Sequence, residues 1–268
     1  MKLSIITINW NNASGLKKTM ASVLEQSYKE FEYLVIDGGS TDGSVEVIKH
    51  FDGAPNLRWV SERDKGIYNA MNKGIGMATG EYLQFLNSGD TLVNKDVVKN
   101  MLAEAEKKGQ PEILIGNLLK NYRGEVRRDY KREDTTLWRF YSSSINHPPT
   151  YIKRILFDKY GLYDESLKIV ADWKWFMKVI ALEGVQPVFV DLDVVLFDMD
   201  GISETNAELN HNERCKVLNE MVPPGVLADY RHFEKDIQMM QRIRRHKQVY
   251  KLVYYIERIL FKIEKSKQ

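Results

Sequence analysis

The sequence lacks the features that mark secreted and membrane-spanning proteins. Its 268 residues include a single cysteine, Cys215, which rules out an internal disulfide and fits a reducing compartment. No apolar stretch reaches the length that a bilayer-spanning helix needs. The apolar part of residues 1–10 (MKLSIITINW) is too short for a signal peptide and instead predicts a buried strand. We therefore expect a cytoplasmic protein.

Three common nucleotide- and cation-binding motifs are also absent. No G-x-x-x-x-G-K-[ST] sequence occurs, which excludes a P-loop protein. Residues 74–80 (GIGMATG) are rich in glycine, but they precede a strand and lack the spacing of a dinucleotide-binding loop. An EF-hand is excluded in the loop that begins at Asp37. There Gly39 and Thr41 stand where oxygen ligands are expected, and Ile48 replaces the closing glutamate.

Charge is distributed unevenly along the chain. The formal net charge is +2, but residues 241–268 hold nine Lys or Arg against two Glu, a local charge of +7. The remainder therefore carries −5, and no nucleic-acid-binding motif accompanies the basic residues, so we expect no nucleic-acid partner. The length and a hydrophobic content of 43% fit one large domain, or one domain with a helical appendage.

The first hundred residues alternate predicted strands and helices. Apolar patterns predict strands at 5–8, 31–36, 57–60 and 82–86, and helices at about 15–26, after 42, at 66–73 and at about 95–107. Ser14 is the predicted N-cap of the first helix, and Asp42 can cap the second. This alternation is typical of a mainly parallel sheet with helices on both faces.

The pattern changes after residues 113–115 (ILI). Four elements are predicted there: a hairpin at 121–126, a basic loop at 127–132, a helix at 172–183 and a strand at 188–197. Residues 223–225 (PPG) form the clearest breaker in the chain. Beyond it, about 228–264 contains neither Gly nor Pro and is predicted to be helical.

Two short acidic loops each follow a predicted buried strand. The strand at 31–36 runs into residues 37–43 (DGGSTDG), and the strand at 82–86 runs into residues 87–90 (NSGD). An open α/β sheet binds ligands beyond the carboxyl ends of its strands. Carboxylates placed there, with small residues that let a ligand approach the backbone, predict one site for a nucleotide and a cation. The loops favour an enzyme of nucleotide-sugar chemistry.

Blocks of sequence in this chain resemble the family 2 glycosyltransferases in content and in order. They are residues 4–12 (SIITINWNN), 35–43 (VIDGGSTDG), 61–75 (SERDKGIYNAMNKGI), 80–90 (GEYLQFLNSGD), and the later pair 146–148 (NHP) and 171–173 (ADW). The resemblance covers roughly residues 3–203. The order of the blocks carries it, and no single block would be specific.

The resemblance implies a GT-A fold, an α/β class with a mainly parallel central sheet. It implies a domain at 1–222, with a nucleotide-binding half (1–115) and an acceptor-binding half (116–222), followed by a basic helical extension at 223–268. The implied activity is inverting transfer of a sugar from a nucleotide-diphospho-sugar, a UDP-sugar, to a hydroxyl of a glycan or lipid-linked glycan. We place this expected reaction in surface polysaccharide biosynthesis.

The matched positions imply a role for each polar residue in the blocks. A divalent cation can neutralise the diphosphate that leaves the sugar, and Mg²⁺ or Mn²⁺ prefers oxygen ligands. Asp90 matches the metal position. The acceptor hydroxyl needs a base on the opposite face of the sugar, and Asp172 matches that position. The implied nucleotide contacts are Thr7, Asn9, Asp37, Ser40, Asp64, Asn72 and Asn87, and the implied acceptor contacts are His147 and Trp173.

Simpler interpretations of these residues stay open. Asp37 before two glycines can be an ordinary turn residue. Asp172 can simply cap the helix that follows it. His147 can be a loop histidine beside Pro148, and Asp64 would otherwise pass as a surface residue.

The chain departs from the family at both acidic loops. Many relatives have two adjacent aspartates where this chain has Asp37 and Gly38, so recognition of the base would depend more on Asp37 and on backbone groups. The usual Asp-x-Asp metal motif is replaced by residues 87–90 (NSGD), in which Gly89 offers no ligand. Either Asp90 holds the metal chiefly through water and diphosphate, or metal dependence is weak.

The basic C-terminal segment has two open interpretations. Apolar residues recur at helical spacing from Val249 to Ile263, interleaved with Lys251, Arg258 and Lys262. The helix can pack on the body or on another subunit in an oligomer. Alternatively it binds an anionic membrane surface, where each basic residue adds on the order of 1 kcal/mol. A lipid-linked acceptor would make a peripheral location on the inner face of the plasma membrane useful.

Two rival functions are also considered. A sugar-phosphate nucleotidyltransferase has a related α/β layout, but its glycine-rich signature with Arg and Lys near the first strand is missing here. A catalytically silent scaffold that binds nucleotide sugars is the non-enzyme alternative, and the altered motif at 87–90 motivates it.

Overall fold

A computed structural model describes residues 2–122, 125–129, 134–198 and 206–265 of the chain. The strands are β1 (Leu3–Asn9), β2 (Phe31–Asp37), β3 (Leu57–Ser61), β4 (Tyr82–Asn87), β5 (Thr91–Leu92), β6 (Ile113–Tyr122), β7 (Glu125–Arg128), β8 (Thr150–Lys153) and β9 (Val188–Phe197). The helices are α1 (Ala13–Leu24), α2 (Ser44–His50), α3 (Ile67–Met77), α4 (Val97–Lys107), α5 (Leu137–Ser142), α6 (Ile155–Tyr160), α7 (Ala171–Phe176), α8 (Ala207–Met221), α9 (Pro224–Arg245) and α10 (Lys247–Lys265).

The strands form one mixed sheet in the order β3-β2-β1-β4-β8-β6-β9-β5, with β7 paired to β6. From β3 to β4 all pairs are parallel, as the strand–helix alternation predicts. From β4 onward the pairs β4–β8, β6–β8, β6–β7 and β5–β9 are antiparallel, and β6–β9 is parallel. The predicted α/β class is confirmed, and the sheet is parallel from β3 to β4 and mixed beyond it.

The core explains why the first strands read as continuous apolar runs. Every residue of β1 and β2 is buried, as expected for parallel strands covered on both faces. Helix α3 contacts β1 and β2, α1 contacts β4 and β5, and α4 contacts β9. Because both strands are covered, their polar groups reach a ligand only where the strands end.

The first helix begins earlier than its sequence pattern predicts. Helix α1 starts at Ala13, and its N-cap is Asn12, whose side chain accepts a hydrogen bond from the Gly15 amide at 2.9 Å. The predicted Ser14 N-cap is therefore wrong. Asp42 does act at the start of α2, since its carboxylate accepts from the amide of Ser44 at 3.1 Å. Both starts tie a helix to the edge of the sheet where β1 and β2 end.

The second half of the sheet contains elements that the sequence did not indicate. The hairpin is confirmed by the β6–β7 pairing, and its tip lies outside the described residues. Arg127 and Arg128 lie in β7, so their assignment to a loop is wrong, while 130–132 also fall outside the described part. The helix predicted at 172–183 is α7, which continues as a π-helix over Met177–Leu182.

The chain divides into two compact units, residues 1–214 and 215–268. The prediction that about 228–264 is helical is confirmed, and the segment consists of two helices, α9 and α10, separated at His246, which has φ −105° and ψ 88°. The predicted breaker at 223–225 is also confirmed, since α8 ends at Met221 and α9 begins at Pro224, with the proline in its first turn. The functional boundary predicted at 222/223 stays a prediction. Within the described part of the chain, no helix is long and apolar enough to cross a bilayer.

Candidate active site

Three parallel strands end side by side at the predicted donor site. β1 ends at Asn9, β2 at Asp37 and β4 at Asn87, and β1 lies between the other two. The register pairs Asn9 directly with Asp37. The two acidic loops therefore leave the sheet at the same edge, on either side of β1, as the sequence predicts.

Asp37 is the centre of a closed hydrogen-bond network. Its Oδ1 accepts from Asn9 Nδ2 at 2.7 Å and from Ser40 Oγ at 2.6 Å. Its Oδ2 accepts from the Ser40 amide at 3.0 Å and from Ser61 Oγ at 2.6 Å. Burial alone would raise the pKa of Asp37, but the hydrogen bonds from Ser40, Ser61 and Asn9 outweigh it, so the pKa lies below its usual value. Asp37 is thus a stable buried anion that shapes its loop.

An exposed tryptophan flanks this loop and was not assigned a role from the sequence. Trp10 follows the last residue of β1 and is 72% exposed. A Cβ at Gly38 would lie 3.3 Å from Trp10 Cδ1 and 3.3 Å from Asp64 Oδ2, so the two side chains flank Gly38. The arrangement leaves a flat aromatic surface beside a carboxylate.

Thr7, another of the predicted nucleotide contacts, is fully buried, and its hydroxyl oxygen accepts a hydrogen bond from the hydroxyl of Tyr33 at 3.0 Å.

A second group of polar side chains surrounds α3. It includes Asp64, which precedes the helix, and Asn72, which lies within it. Asp64 accepts from the ammonium of Lys73, which also pairs with Glu62 at 2.8 Å. Burial raises the pKa of Asp64, against the opposing effect of Lys73. Asn72 bonds the backbone of Tyr163 in both directions, at 2.9 and 3.1 Å. Asn72 therefore fixes the loop after α6 to the nucleotide-side half.

Asp90 has far fewer partners than Asp37. It is 1% exposed, and its two oxygens accept from the amides of Asp198 at 3.0 Å and Asn87 at 3.2 Å. Burial raises the pKa of Asp90 to about 7, and the nearby charge of Asp198 adds to the rise. The carboxylate is therefore costly to ionise unless positive charge comes close.

The groups around Asp90 fit a cation that takes most of its ligands from diphosphate and water. The Oδ1 of Asn87 is buried and has no hydrogen-bond partner. A Cβ at Gly89 would lie 2.1 Å from Asp198 Oδ2, so a second carboxylate rests on the glycine of this loop. Oxygen donors of this kind suit Mg²⁺ or Mn²⁺. Among the described residues no three metal-ligating side chains cluster, so the protein alone would supply few ligands.

Asp172 lies in the first turn of α7 and belongs to the other half of the domain. Its side chain is 24% exposed, and its Oδ1 accepts from the hydroxyl of Tyr68 at 2.8 Å. Its Oδ2 lies 3.9 Å from His147 Nδ1. The carboxylate thus has one oxygen held by α3 and one directed toward His147, with access to solvent.

His147 lies behind Asp172 and not at the surface. It is 7% exposed, its ring stacks on Phe85 of β4 at 5.0 Å, and its Nε2 lies 3.0 Å from the hydroxyl of Tyr163. Burial lowers the pKa of His147, and the charge of Asp172 opposes this only in part. The imidazole is neutral near pH 7. Its assignment as an acceptor contact stays a prediction, since the ring is almost closed off from solvent.

Trp173 points into the fold. It is 2% exposed, and its indole N–H donates to the carbonyls of Phe140 and Ser143, both at 3.1 Å. The Arg214 guanidinium lies over its ring at 4.7 Å. Direct contact of Trp173 with an acceptor also stays a prediction. Its observed position instead supports the start of α7.

The start of α7 is fixed by a carboxylate that the sequence did not reveal. Glu213 of α8 accepts from the backbone amides of Lys168, Ile169 and Val170 at 2.7, 2.9 and 3.3 Å. These amides immediately precede the helix that carries Asp172. Nothing in the local sequence of Glu213 marks this role, because its partners lie more than forty residues away.

Solved structures show the class to which this fold belongs. The chain is similar to the crystal structure of S. aureus TarS 1–349 in complex with UDP-GlcNAc, at TM-score 0.67 and 21% identity, over 81% of this chain and 64% of that one. It therefore spans less than two thirds of that structure. It is also similar to the mannosyltransferase PcManGT from Pyrobaculum calidifontis, in complex with GDP-Man and Mn²⁺ (TM-score 0.56, 18% identity, 73% of this chain and 56% of that one). These similarities confirm the predicted GT-A fold.

Sequence comparisons then identify the family. The glycosyl transferase family 2 model matches residues 4–168. A PGL/p-HBAD biosynthesis glycosyltransferase of Mycobacterium bovis is 28% identical over 90% of this chain and 94% of its own length. An uncharacterised glycosyltransferase of Mycobacterium tuberculosis is 31% identical over 84% of this chain and 83% of its own. The chain belongs to glycosyl transferase family 2, and it is a glycosyltransferase.

Proposed function

We propose that this enzyme transfers a sugar from a UDP-sugar to a hydroxyl of a glycan or lipid-linked glycan, with inversion at the anomeric carbon. We place the reaction in surface polysaccharide biosynthesis. The observation that carries the proposal is Asp172: a partly exposed carboxylate at the family's base position, held at one oxygen by the Tyr68 hydroxyl. A simple helix-capping role would not require that held geometry.

In the proposed reaction Asp172 takes the proton of the acceptor hydroxyl. The acceptor oxygen forms its bond to the anomeric carbon on the face opposite the leaving group. The bond from that carbon to the phosphate oxygen breaks, and its electron pair leaves with the nucleoside diphosphate. His147 is kept neutral by burial, so no full positive charge next to Asp172 opposes its work as a base.

The donor nucleotide is proposed to lie over the ends of β1 and β2. Exposed Trp10 offers a ring on which a base can stack, beside Asp64. Asn9, Asp37 and Ser40 form the rigid wall beneath it. The uridine assignment is supported by the sequence match and by the UDP complexes of TarS, which are properties of that protein.

A divalent cation, Mg²⁺ or Mn²⁺, is proposed at the second loop. Asp90 and Asp198 would hold it, with the unpartnered Oδ1 of Asn87 nearby. When bound, the cation would neutralise charge on the diphosphate. This proposal explains why a buried carboxylate with only two amide partners is retained where the sheet ends.

The C-terminal helix is proposed to bring the enzyme to an anionic membrane surface from the cytoplasmic side. No residue of α10 is buried, and its face of Leu252, Ile256 and Ile259 is about half exposed. Residues 241–268 carry +7, which opposes self-association through this segment and favours anionic lipid. Flotation with vesicles containing anionic lipid should recover the protein, whereas neutral vesicles should not. Association into an oligomer without lipid would support the other interpretation.

A panel of nucleotide sugars tests the proposed donor. We expect a UDP-sugar to raise the melting temperature, more so with Mn²⁺, because a ligand that binds only the folded state stabilises it. GDP-sugars serve as the matched comparison. Slow donor hydrolysis with Mn²⁺ should accompany binding. Stabilisation without any hydrolysis or transfer would support the silent scaffold, and no stabilisation by any nucleotide sugar would contradict the proposal.

A further inference from the structure

The hydroxyl of Tyr68 links the two halves of the domain at the proposed base. Tyr68 lies in the first turn of α3, on the nucleotide side, and its side chain is 4% exposed. Its hydroxyl lies 2.8 Å from Asp172 Oδ1 and 2.5 Å from the carbonyl oxygen of Ile169. Tyr68 and Asp172 are 104 positions apart in the chain. No other hydrogen bond to the Asp172 carboxylate is seen among the described residues.

The two oxygens of Asp172 are therefore in different situations. Oδ1 lies within hydrogen-bond distance of the Tyr68 hydroxyl, which shares its one proton between this oxygen and the carbonyl of Ile169. Oδ2 lies 3.9 Å from His147 Nδ1, beyond hydrogen-bond distance. A carboxylate oxygen that already accepts a hydrogen bond is the poorer proton acceptor of the pair. The geometry leaves Oδ2 as the oxygen with capacity for the acceptor hydroxyl.

The surroundings of Tyr68 keep its hydroxyl in place. On the same helix, Asn69 and Asn72 donate to the Glu165 carboxylate at 2.8 and 2.9 Å. Glu213 binds the amides just before α7 from the other side. The helix with the hydroxyl and the helix with the carboxylate are thus fixed to a common loop, so that loss of the hydroxyl need not displace either backbone.

We propose that Tyr68 is a positioning residue for the base: its hydroxyl holds Oδ1 of Asp172 so that Oδ2 faces the acceptor. This inference rests on the proposed function, in which Asp172 is the base. It also means that α3, which follows the predicted donor contact Asp64, sets the geometry of proton removal.

The titratable and charged groups that face Asp172 come from several elements. In the described part of the chain they are Tyr68 of α3, His147 before β8, Tyr163 after α6 and Arg214 of α8. Among them, Tyr68 is the one whose hydroxyl lies within hydrogen-bond distance of the carboxylate. Loss of that hydroxyl should therefore leave the orientation of the carboxylate unfixed.

The test is Tyr68→Phe in the full-length chain, with Tyr151→Phe as the matched control. Tyr151 is also fully buried, and its hydroxyl has no hydrogen-bond partner. We expect Tyr68→Phe to lower kcat roughly tenfold to a hundredfold with the donor dissociation constant unchanged. Tyr151→Phe should match the wild type in both measurements.

A double variant separates positioning from a general loss of structure. Adding Tyr68→Phe to Asp172→Asn should cost no further activity if both act through one carboxylate. If the phenylalanine variant does not fold, Tyr68→3-fluorotyrosine retains the hydroxyl, and we expect it to keep the wild-type kcat. A large loss of kcat in that folded variant would contradict the positioning role.

Two outcomes contradict different statements. A wild-type enzyme that transfers sugar, with Tyr68→Phe equal to it in kcat, overturns the role of Tyr68 alone. A lower kcat with an additive loss in the double variant also overturns it. Absence of transfer by the wild type with every donor contradicts the proposed function, and the role of Tyr68 with it.

Discussion

The two acidic loops at the edge of the sheet hold their carboxylates in opposite ways. Asp37 accepts four hydrogen bonds, three of them from side chains, and its pKa lies below its usual value. Asp90 accepts hydrogen bonds from two backbone amides and lies beside Asp198. Burial raises the pKa of Asp90 to about 7. The carboxylate of the first loop therefore has its hydrogen-bond partners within the protein. The second would be stabilised by a cation.

The comparison shows that two aspartates at neighbouring strand ends of the same sheet can have different roles. Asp37 accepts its hydrogen bonds from Asn9, Ser40 and Ser61, so its carboxylate fixes the shape of the loop proposed to hold the nucleotide. Ionisation of the buried Asp90 carboxylate is energetically unfavourable, and a metal ion bound with diphosphate would reduce that penalty. Three predictions, from the largest expected effect to the smallest, test this difference.

Replacement of Asp37 should destabilise the folded protein most. Asp37→Ala leaves the donors of Asn9, Ser40 and Ser61 without their acceptor, and we expect a loss of roughly 3 kcal/mol in the free energy of unfolding. Urea unfolding measures it. Asp52→Ala is the control, since the exposed Asp52 accepts one bond from Trp59. Equal stabilities of the two variants would show that the network around Asp37 is not structural.

Addition of Mn²⁺ together with UDP should stabilise the wild type through Asp90. At a hundred times the dissociation constant the gain is about 2.7 kcal/mol. Asp90→Asn should lose the part of that gain which depends on Mn²⁺ while it keeps the metal-independent part. Thermal unfolding with UDP, with and without Mn²⁺, gives both. A full Mn²⁺ effect in the variant would place the cation elsewhere.

The two carboxylates should also give opposite pH dependences in chelator-treated protein. The pKa of Asp90 is raised from about 3.9 in the unfolded chain to about 7. Between these pH values the folded state holds a proton that the unfolded state has lost, so stability falls as pH rises. Asp37, with its lowered pKa, instead contributes stability that is lost as pH falls toward and below its unfolded value.

The wild type should therefore lose roughly 2 kcal/mol from pH 5 to pH 8 relative to Asp90→Asn. Urea unfolding of both proteins at the two pH values measures the difference. Parallel pH profiles of the two proteins would mean that Asp90 is not buried as an unpaired acid.

Sequence patterns predicted the nucleotide-side half well, because its information is local. The buried runs of β1, β2 and β4 and the periodicity of α4 come from neighbouring residues. The loop at Asp37 directly follows β2, and the loop at Asp90 directly follows β4. Short elements such as β8, with four residues, had no such signal. They are stabilised by pairing with β4 and β6, which no local pattern encodes.

The candidate site was predicted in outline but not in its supporting contacts. Asp172 was predicted as the base and His147 as an acceptor contact, and the structure places Asp172 Oδ2 3.9 Å from His147 Nδ1. Tyr68, Glu213 and Asp198 were missed because each acts on residues more than forty positions away. Trp10 lies in the block at residues 4–12. A large aromatic residue directly after a predicted strand was the sequence signal that could have marked it, and the structure shows the ring exposed.

The most direct test of the proposed function is transfer by Asp172→Asn with its donor affinity measured on the same sample. The variant keeps the shape of the side chain and removes the base. We predict that the dissociation constant for the UDP-sugar stays within about twofold, while transfer falls by at least about a hundredfold, the lower bound for loss of a general base. Transfer at the wild-type rate by a variant that binds donor normally would contradict the assignment of Asp172.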